Sequence, residues 1–324
     1  MARGEVPQGS VLQLGEYNKL PDIKDAVNFH SVKCRNGTQL YRLFGMRHHD
    51  EFTHPDYDKL RSEFSQFEQR TQGTKRIIVT EGSIADSGDD EESSFKNGRA
   101  EAAFLAFWAK KYDIPIISAE SEPRWDEAKL VERQFVKQDD PEYGKKLVFY
   151  YYFARMFTQL ARFKETERPK PEDYLNEWVQ SFRDSWGWSD FDFSYNNLRT
   201  IHDELYEIPF DPTNTDFFLE QTVNYGRRET PIQQVAQAVN KVRDMTLTYT
   251  HLELLDPGSS DFFLQNTDDV GKYCIQQAKN KRKEIDRRYG SGKYSIFDSH
   301  GYFHTAIVAP ALERWGEKDI DGDF

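Results

Sequence analysis

Two Gly-x-x-His motifs stand near opposite ends of the chain, each at the point where a strand-like run ends. The first motif ends in His48 and follows the run 39–44; the second ends in His304 and follows the run 293–297. Parallel strands send their carboxyl ends to one rim of an α/β sheet, where ligand sites form. The spacing therefore predicts that the two histidines share one active site.

Two glutamates take the same position after predicted strands. Glu81 follows the buried-strand candidate 76–80, and Glu120 follows the candidate 114–119. Either acid alone is typical of a helix cap or a solvated loop. Together with the two motif histidines, they put four chemically competent side chains at the ends of four strands, and we expect all four to converge at the rim.

Such a set of side chains supports two kinds of chemistry. Two imidazoles and two carboxylates can hold a divalent cation and leave an open position for water, as in hydrolytic metal sites. Without a metal, the same set supplies a general base and a general acid, with the pKa of one carboxyl raised by its neighbour. The sequence leaves both possibilities open.

Three further histidines lie close to the motifs: His49, His54 and His300. We expect each to support a neighbouring ligand or to be exposed, because a histidine beside a ligand often has one of these lesser roles. His300 is the strongest alternative ligand, since residues 298–300 directly follow the predicted last strand. It then competes with His304 for the role of the second motif.

Two more charged residues bear on the site. Glu122 lies two positions after Glu120 and is the alternative carboxylate at that strand end. Arg243 lies in a predicted helix with an apolar side, where an arginine most often forms a surface ion pair. If it is aimed at the site instead, its guanidinium can bind a substrate carboxylate or a developing oxyanion.

The elements that would position these residues follow a β-α-β-α-β order, which predicts a parallel sheet. They are strand 39–45, helix 56–69, strand 76–80, helix 99–112 and strand 114–119, followed later by helices 231–255 and 268–289, the last strand and a helix 305–315. We predict an α/β fold: a mixed, mainly parallel sheet flanked by helices, with a helical cap insertion.

The predicted domain organisation follows the changes in pattern. Residues 39–125 and 257–324 form the predicted α/β core, residues 126–256 are helical and rich in aromatic rings, and residues 1–38 are a predicted N-terminal arm. The acidic, Gly- and Ser-rich segment 82–98 lacks an apolar face. It predicts a mobile surface loop that could also act as a lid.

The composition narrows the classes of partner. A net charge of −12 argues against nucleic acid, since a phosphate backbone needs a concentrated basic face. Cys34 and Cys274 alone form no disulfide framework, and the N-terminus lacks the apolar core of a signal peptide. No apolar run approaches the ~20 residues of a membrane span. We expect a cytoplasmic protein with a small-molecule or peptide substrate, no nucleic-acid or membrane partner, and an oligomeric state that the sequence leaves open.

Taken together, the motifs resemble those of the Tiki/TraB superfamily, which includes erythromycin esterase-like and ChaN-like proteins. The resemblance covers residues 39–125 and 235–316. It rests on the order of motifs: Gly-x-x-His, strand-Glu-Gly at 77–82, Glu101 before an Ala-rich helix, strand-Glu at 116–120, Arg243-Asp244, the second Gly-x-x-His and the stretch HTAIVAPALERWG. The resemblance implies a site lined by four residues and a supporting cation: His48, Glu81, Glu120 and His304, with Arg243.

The predicted function is metal-dependent hydrolysis of a peptide or ester bond. In this hypothesis His48 and His304, with Glu81 or Glu120, bind a divalent ion such as Mn²⁺ or Zn²⁺, and the other glutamate activates water. Arg243 would stabilise the charge on the attacked oxygen. The alternative, which the ChaN-like resemblance allows, is a binding protein whose pocket holds haem or another small ligand without turnover.

Metal binding and folding stability should respond to different substitutions. In chelator-treated protein, His48→Ala and His304→Ala should abolish metal uptake or turnover and change the melting temperature little, because neither histidine is expected to fill the core. Ile78→Ala in the predicted central strand should cost about 2–5 kcal/mol through its cavity. Metal stoichiometry and thermal melts test this; histidine variants that melt as low as Ile78→Ala would show that the histidines are structural.

Overall fold

The protein is represented by a computed structural model that describes most of the chain. The described residues are 29–36, 39–46, 48–49, 51–80, 84, 86–97, 101–118, 126–160, 168–223, 229–301, 305, 308 and 317–318. Most of the predicted helix 305–315 lies outside them.

Six strands in this part of the chain form one sheet. They are β1 (Phe29–Asn36), β2 (Gln39–Met46), β3 (Arg76–Thr80), β4 (Ile116–Ser118), β5 (Ser295–Gly301) and β6 (Glu317–Lys318), in the order β4-β3-β5-β2-β1-β6. The strands from β4 to β2 are parallel to one another, whereas β1 pairs antiparallel with β2 and with β6. The predicted mixed, mainly parallel α/β sheet is confirmed. Strand β1 lies within the predicted N-terminal arm.

Ten α-helices accompany the sheet in the described residues. They are α1 (Pro55–Arg70), α2 (Glu91–Asn97), α3 (Glu101–Lys111), α4 (Asp126–Glu132), α5 (Tyr143–Leu160), α6 (Pro171–Trp186), α7 (Tyr195–Leu205), α8 (Thr215–Val223), α9 (Pro231–Leu255) and α10 (Asp269–Tyr289). Two 3₁₀ helices, Arg133–Phe135 and Ser259–Asn266, lie among them. None of these helices is long and apolar enough to cross a membrane.

The loop prediction for residues 82–98 is wrong for residues 91–97, which form α2. Asp90 caps this helix: its carboxylate accepts a hydrogen bond from Ser93 N at 2.7 Å, and Ser93 Oγ accepts one from Asp90 N at 3.1 Å. Phe95 packs against the aromatic core. A reciprocal cap followed by one large apolar residue was the available signal, but the acidity of the segment obscured it.

An aromatic core covers one face of the sheet. Alternate residues of a strand point to the same side, so Phe44 of β2, Ile78 of β3 and Phe297 of β5 meet on this face. The ring centroid of Phe297 lies 5.0 Å from that of Phe44 and 5.0 Å from that of Phe64 on α1. Helix α3 completes the cluster with Phe104, Leu105, Trp108 and Ala109.

The described residues divide into two compact units. One unit holds the sheet, α1 to α3, the part of α9 from Arg243 onward and α10; the other holds α4 to α8 and the part of α9 up to Val242. The division therefore falls inside α9, whereas the sequence placed the helical insertion at 126–256. A continuous helical period carries no local mark of such a boundary.

The aromatic stripes of the helical unit form a core of their own. The rings of Phe182 and Trp186 stack with centroids 4.6 Å apart, and those of Phe149 and Phe153 lie 4.8 Å apart. All four side chains are buried. These rings therefore have a packing role, which is the usual one for aromatic residues at helical spacing.

Phe297→Ala should lower the free energy of unfolding of the sheet unit by about 3–5 kcal/mol, because it removes a fully buried ring from among aromatic neighbours. The control is Phe262→Ala, since Phe262 is 41% exposed and its loss should cost less than about 1 kcal/mol. Urea denaturation measures both, and equal losses would contradict a central position for Phe297.

Candidate functional site

Four predicted site residues lie outside the residues that the structure describes: Glu81, Glu120, His304 and the alternative Glu122. Their convergence with His48 stays a prediction. Strands β2, β3 and β4 belong to the parallel part of the sheet and end at Met46, Thr80 and Ser118. The ends of these strands therefore lie at the same rim.

His48 follows β2 at this rim and contacts a buried acid. Its Nδ1 lies 2.9 Å from Oε2 of Glu101, and the imidazole is 57% exposed whereas the carboxylate is 3% exposed. Glu101 is the first residue of α3, where the helix dipole favours a negative charge. A buried carboxylate thus orients an exposed imidazole, which is how proteins hold acid–base and metal-binding histidines.

Glu101 has a place in the predicted motif order, but no partner was predicted for it. The contact joins residues 53 positions apart, so no local pattern encodes it. The available signal was an acid at the first position of a helix in the crossover from β3 to β4, since the last helix of such a crossover runs back from the rim where the first strand ends.

Three hydroxyl side chains lie in a row across the same strand ends. The register pairs Thr80 with Ser118 on β4 and with Ser299 on β5, so the three hydroxyls share one face of the sheet. All three are buried, and in the described part of the chain neither Ser118 Oγ nor Ser299 Oγ has a hydrogen-bond partner. An unsatisfied buried hydroxyl costs about 1–3 kcal/mol. Water or substrate atoms can supply the missing hydrogen bonds.

A second polar group lies on the opposite face of β5. His251 of α9 and His300 flank the carboxylate of Asp298: His251 Nε2 lies 2.5 Å from Oδ2, and His300 Nε2 lies 2.7 Å from Oδ1. The three side chains are fully buried, and their ligand atoms lie within 4.8 Å of one another, close enough to hold a metal ion. Tyr41 of β2 donates a hydrogen bond to Oδ2 at 3.3 Å.

The placement of His300 corrects the sequence analysis. Residues 298–300 do not follow the last strand but lie inside β5, and His300 is buried rather than exposed. Aspartate is uncommon in strands, and it obscured an alternation that puts the polar pair on one face and Phe297 on the other. The sequence analysis missed His251; the available signal was a histidine near the apolar end of α9.

The charge of Asp298 depends on its two histidine neighbours. Complete burial by itself raises the pKa of a carboxyl group, but the adjacent His300 and His251 hold the pKa of Asp298 well below its usual range, at about 2. An ionised carboxylate at this depth requires a positive charge beside it. A proton on one imidazole or a bound cation can supply it.

Among the described residues, a second group that could hold a metal consists of His49, His54 and Asp56. The two rings stack with centroids 3.4 Å apart, and His49 Nε2 lies 3.1 Å from Asp56 Oδ2. His54 Nδ1 accepts a hydrogen bond from Asp56 N and caps α1, while Lys59 donates to Asp56 Oδ1 at 2.9 Å. Because the lysine ammonium opposes a cation at this carboxylate, we interpret the group as a helix cap.

Arg243 is 8% exposed, so a solvated surface ion pair does not describe its setting. It lies on α9 eight residues before His251, or about two turns along the helix, in the part that belongs to the sheet unit. Its role as a cation that binds substrate stays a prediction.

Gly45, the first residue of the first motif, is required by close packing. A Cβ atom at this position would lie 2.5 Å from Thr305 Cβ and 2.5 Å from Thr305 Oγ1, far inside van der Waals contact. Gly45 pairs with His300 in the register of β2 and β5, so Thr305 packs beside the end of β5. The glycine thus has a packing role of its own.

No protein-family model matches the chain, and no curated protein or solved structure matches it either. The resemblance to the Tiki/TraB superfamily rests on the order of motifs alone and stays a prediction. The function therefore has to be inferred from the geometry of the site.

Gly45→Ala should lower the free energy of unfolding by about 1–3 kcal/mol, because the added methyl group overlaps Thr305. Adding Thr305→Gly removes the overlapping atoms and should recover part of the loss. Thermal denaturation of the single and double variants measures both effects. Full stability of Gly45→Ala would contradict the close approach of Thr305.

Proposed function

We propose that this protein is a hydrolase that cleaves ester or peptide bonds at the rim of its parallel sheet. The observation that carries the proposal is the contact between exposed His48 and buried Glu101 at the carboxyl end of β2. An imidazole oriented by a carboxylate can remove a proton from water and return one to the leaving group. The same arrangement suits a histidine that binds a divalent ion.

Glu101 determines which nitrogen of His48 acts. Since Nδ1 contacts Oε2, Nδ1 carries the proton of the neutral imidazole and Nε2 carries the lone pair. Nε2 is then the atom that accepts a proton from the attacking water or binds a cation. The carboxylate of Glu101 also stabilises the imidazolium that forms when the proton moves.

The other rim residues complete the proposed site. Glu81 and Glu120 follow β3 and β4, and His304 follows β5, so the parallel order of these strands supports their placement beside His48. These residues would hold Mn²⁺ or Zn²⁺, which when bound lowers the pKa of a coordinated water. A glutamate outside the ligand set would then accept the proton of that water.

Two further features support a substrate site at the rim. The hydroxyls of Ser118 and Ser299 lie near the strand ends with unfilled hydrogen-bonding capacity in the described residues. Both are buried, so ordered water can fill this capacity and connect them to a substrate at the rim. Arg243, in the proposed role, would stabilise the negative charge on the attacked carbonyl oxygen. Substrates with a carbonyl group and a polar flank fit this set.

Turnover of a substrate panel tests the proposal. Purified protein would be assayed with p-nitrophenyl esters, a lactone and a fluorogenic peptide mixture, first after chelator treatment and then with Mn²⁺ or Zn²⁺ added. His48→Ala should lower kcat about 10²–10⁴-fold on the active substrate, because it removes the acid–base group. Glu101→Gln should lower kcat about 10–100-fold and change KM less, because it only misorients His48.

The matched control is Glu91→Gln, the same chemical change at the first residue of the neighbouring helix α2. Glu91 binds Trp108 Nε1 at 2.7 Å and does not contact His48, so kcat should be retained. Full activity of His48→Ala, or an absence of turnover with every substrate and metal, would overturn the proposal. A Soret band in the purified protein would favour the ligand-binding alternative.

A further inference from the structure

We infer that His251, Asp298 and His300 bind a divalent first-row transition metal ion, most simply Zn²⁺, in a closed site that joins α9 to β5. The inference does not rest on the proposed hydrolase function, because the three side chains are fully buried and are not among the rim residues. Two imidazoles and one carboxylate are ligand types that Zn²⁺ prefers, and their ligand atoms lie within 4.8 Å of one another.

The tautomer of His251 requires a positive charge between its ring and Asp298. Its Nδ1 lies 2.7 Å from the backbone carbonyl oxygen of Leu247, which can only accept, so Nδ1 must carry a proton. In the neutral ring, Nε2 then carries the lone pair, yet it lies 2.5 Å from Asp298 Oδ2. Two electron-rich atoms at this distance repel unless a positive charge lies between them. A hydrogen bond from the other ring nitrogen to a carbonyl is typical of metal-binding histidines.

The alignment of the two histidine–carboxylate contacts distinguishes a bound metal ion from a shared proton. A shared proton lies near the line between nitrogen and oxygen, so the ring would point its N–H group at the oxygen. In the described residues neither His251 Nε2 nor His300 Nε2 makes an aligned hydrogen bond, although they lie 2.5 Å and 2.7 Å from the carboxylate oxygens. The lone pairs of metal ligands converge on the ion rather than on one another, and this produces short contacts without alignment.

The burial of His300 also favours a bound ion. His300 is fully buried; within the described part of the chain its Nδ1 has no hydrogen-bond partner, and its Nε2 meets Asp298 Oδ1 at 2.7 Å without hydrogen-bond alignment. Unfilled hydrogen-bonding capacity in the interior is destabilising, and coordination of an ion would offset that cost. Bonds of about 2.0–2.2 Å to the ion require the imidazoles and the carboxylate to separate by less than about 1 Å.

The geometry also indicates what such an ion would do. Tyr41 OH, which donates to Asp298 Oδ2 at 3.3 Å, would orient the carboxylate that binds the ion. A site without solvent exposure leaves no open position for substrate, so the ion is structural. Strand β5 ends at Gly301, the first residue of the second Gly-x-x-His motif, and the ion would hold the strand from which that motif begins.

Metal stoichiometry tests the inference. Full-length protein would be stripped with a strong chelator, loaded with Zn²⁺ or Co²⁺, desalted and measured for metal per chain and for melting temperature. All measurements would use the His48→Ala variant. Because this variant lacks a proposed rim ligand, the metal content then reports the ion at the buried site. This variant should lose the rim ion but retain one ion per chain at the buried site, whereas a protein that has the rim site alone would retain none. Adding His300→Gln or Asp298→Asn should weaken binding more than about 100-fold, since loss of a supporting residue alone costs about 10–100-fold.

His49→Gln is the matched control, because it changes a histidine of the helix-cap group and should leave the ion in place. X-ray absorption of the loaded His48→Ala protein gives a readout that does not depend on the folding of the ligand variants, and it should show two imidazole nitrogens around the ion. Absence of a stoichiometric ion would overturn the inference in favour of a protonated His–Asp–His group. Unchanged binding by folded His300→Gln, or a shell without imidazole, would also overturn it.

Discussion

The buried carboxylate of Asp298 is the constraint on which the arrangement of the sheet unit depends. An ionised carboxylate removed from water is strongly destabilising unless charged or hydrogen-bonding partners surround it. Its partners come from three elements: His300 from its own strand, His251 from α9 and Tyr41 from β2. Helix α9 therefore has to meet β5 at one position, and β2 has to keep its register beside β5.

A second buried charge fixes the end of α9. Arg282 of α10 is 4% exposed and donates hydrogen bonds to the carbonyl oxygens of Glu253 at 2.7 Å and Leu254 at 3.4 Å. A guanidinium at this position satisfies carbonyl groups that a helix end leaves open, and it is favoured by the helix dipole. The carbonyl of Leu254 also accepts a hydrogen bond from Tyr294 N at 3.3 Å, next to the start of β5. His251, one turn earlier, is thereby held against the strand.

The two histidine sites of the sheet unit differ in their exposure to solvent. His48 at the rim is 57% exposed, as an acid–base or catalytic metal-binding group requires, and the buried acid Glu101 orients it. His300 is 0% exposed, which suits a group that stabilises the fold. Successive residues of β5 point to opposite faces of the sheet, so Phe297 and Ser299 lie on the face of the aromatic core, and Asp298 and His300 lie on the other face.

Elements with strong apolar spacing can be predicted from the sequence alone. Strand β3 and helix α9 begin and end at the predicted residues, since periods of 2 and 3.6 residues are local properties of the chain. The sequence alone did not predict the polar half of β5 or the short helix α2, because Asp298 and a run of acids obscured those periods. Which side chains meet depends on the three-dimensional fold. Glu101 contacts His48 although 53 positions separate them, and His251 of α9 contacts Asp298 of β5. Such contacts could not be predicted, because a local sequence pattern carries no information about contacts between distant segments.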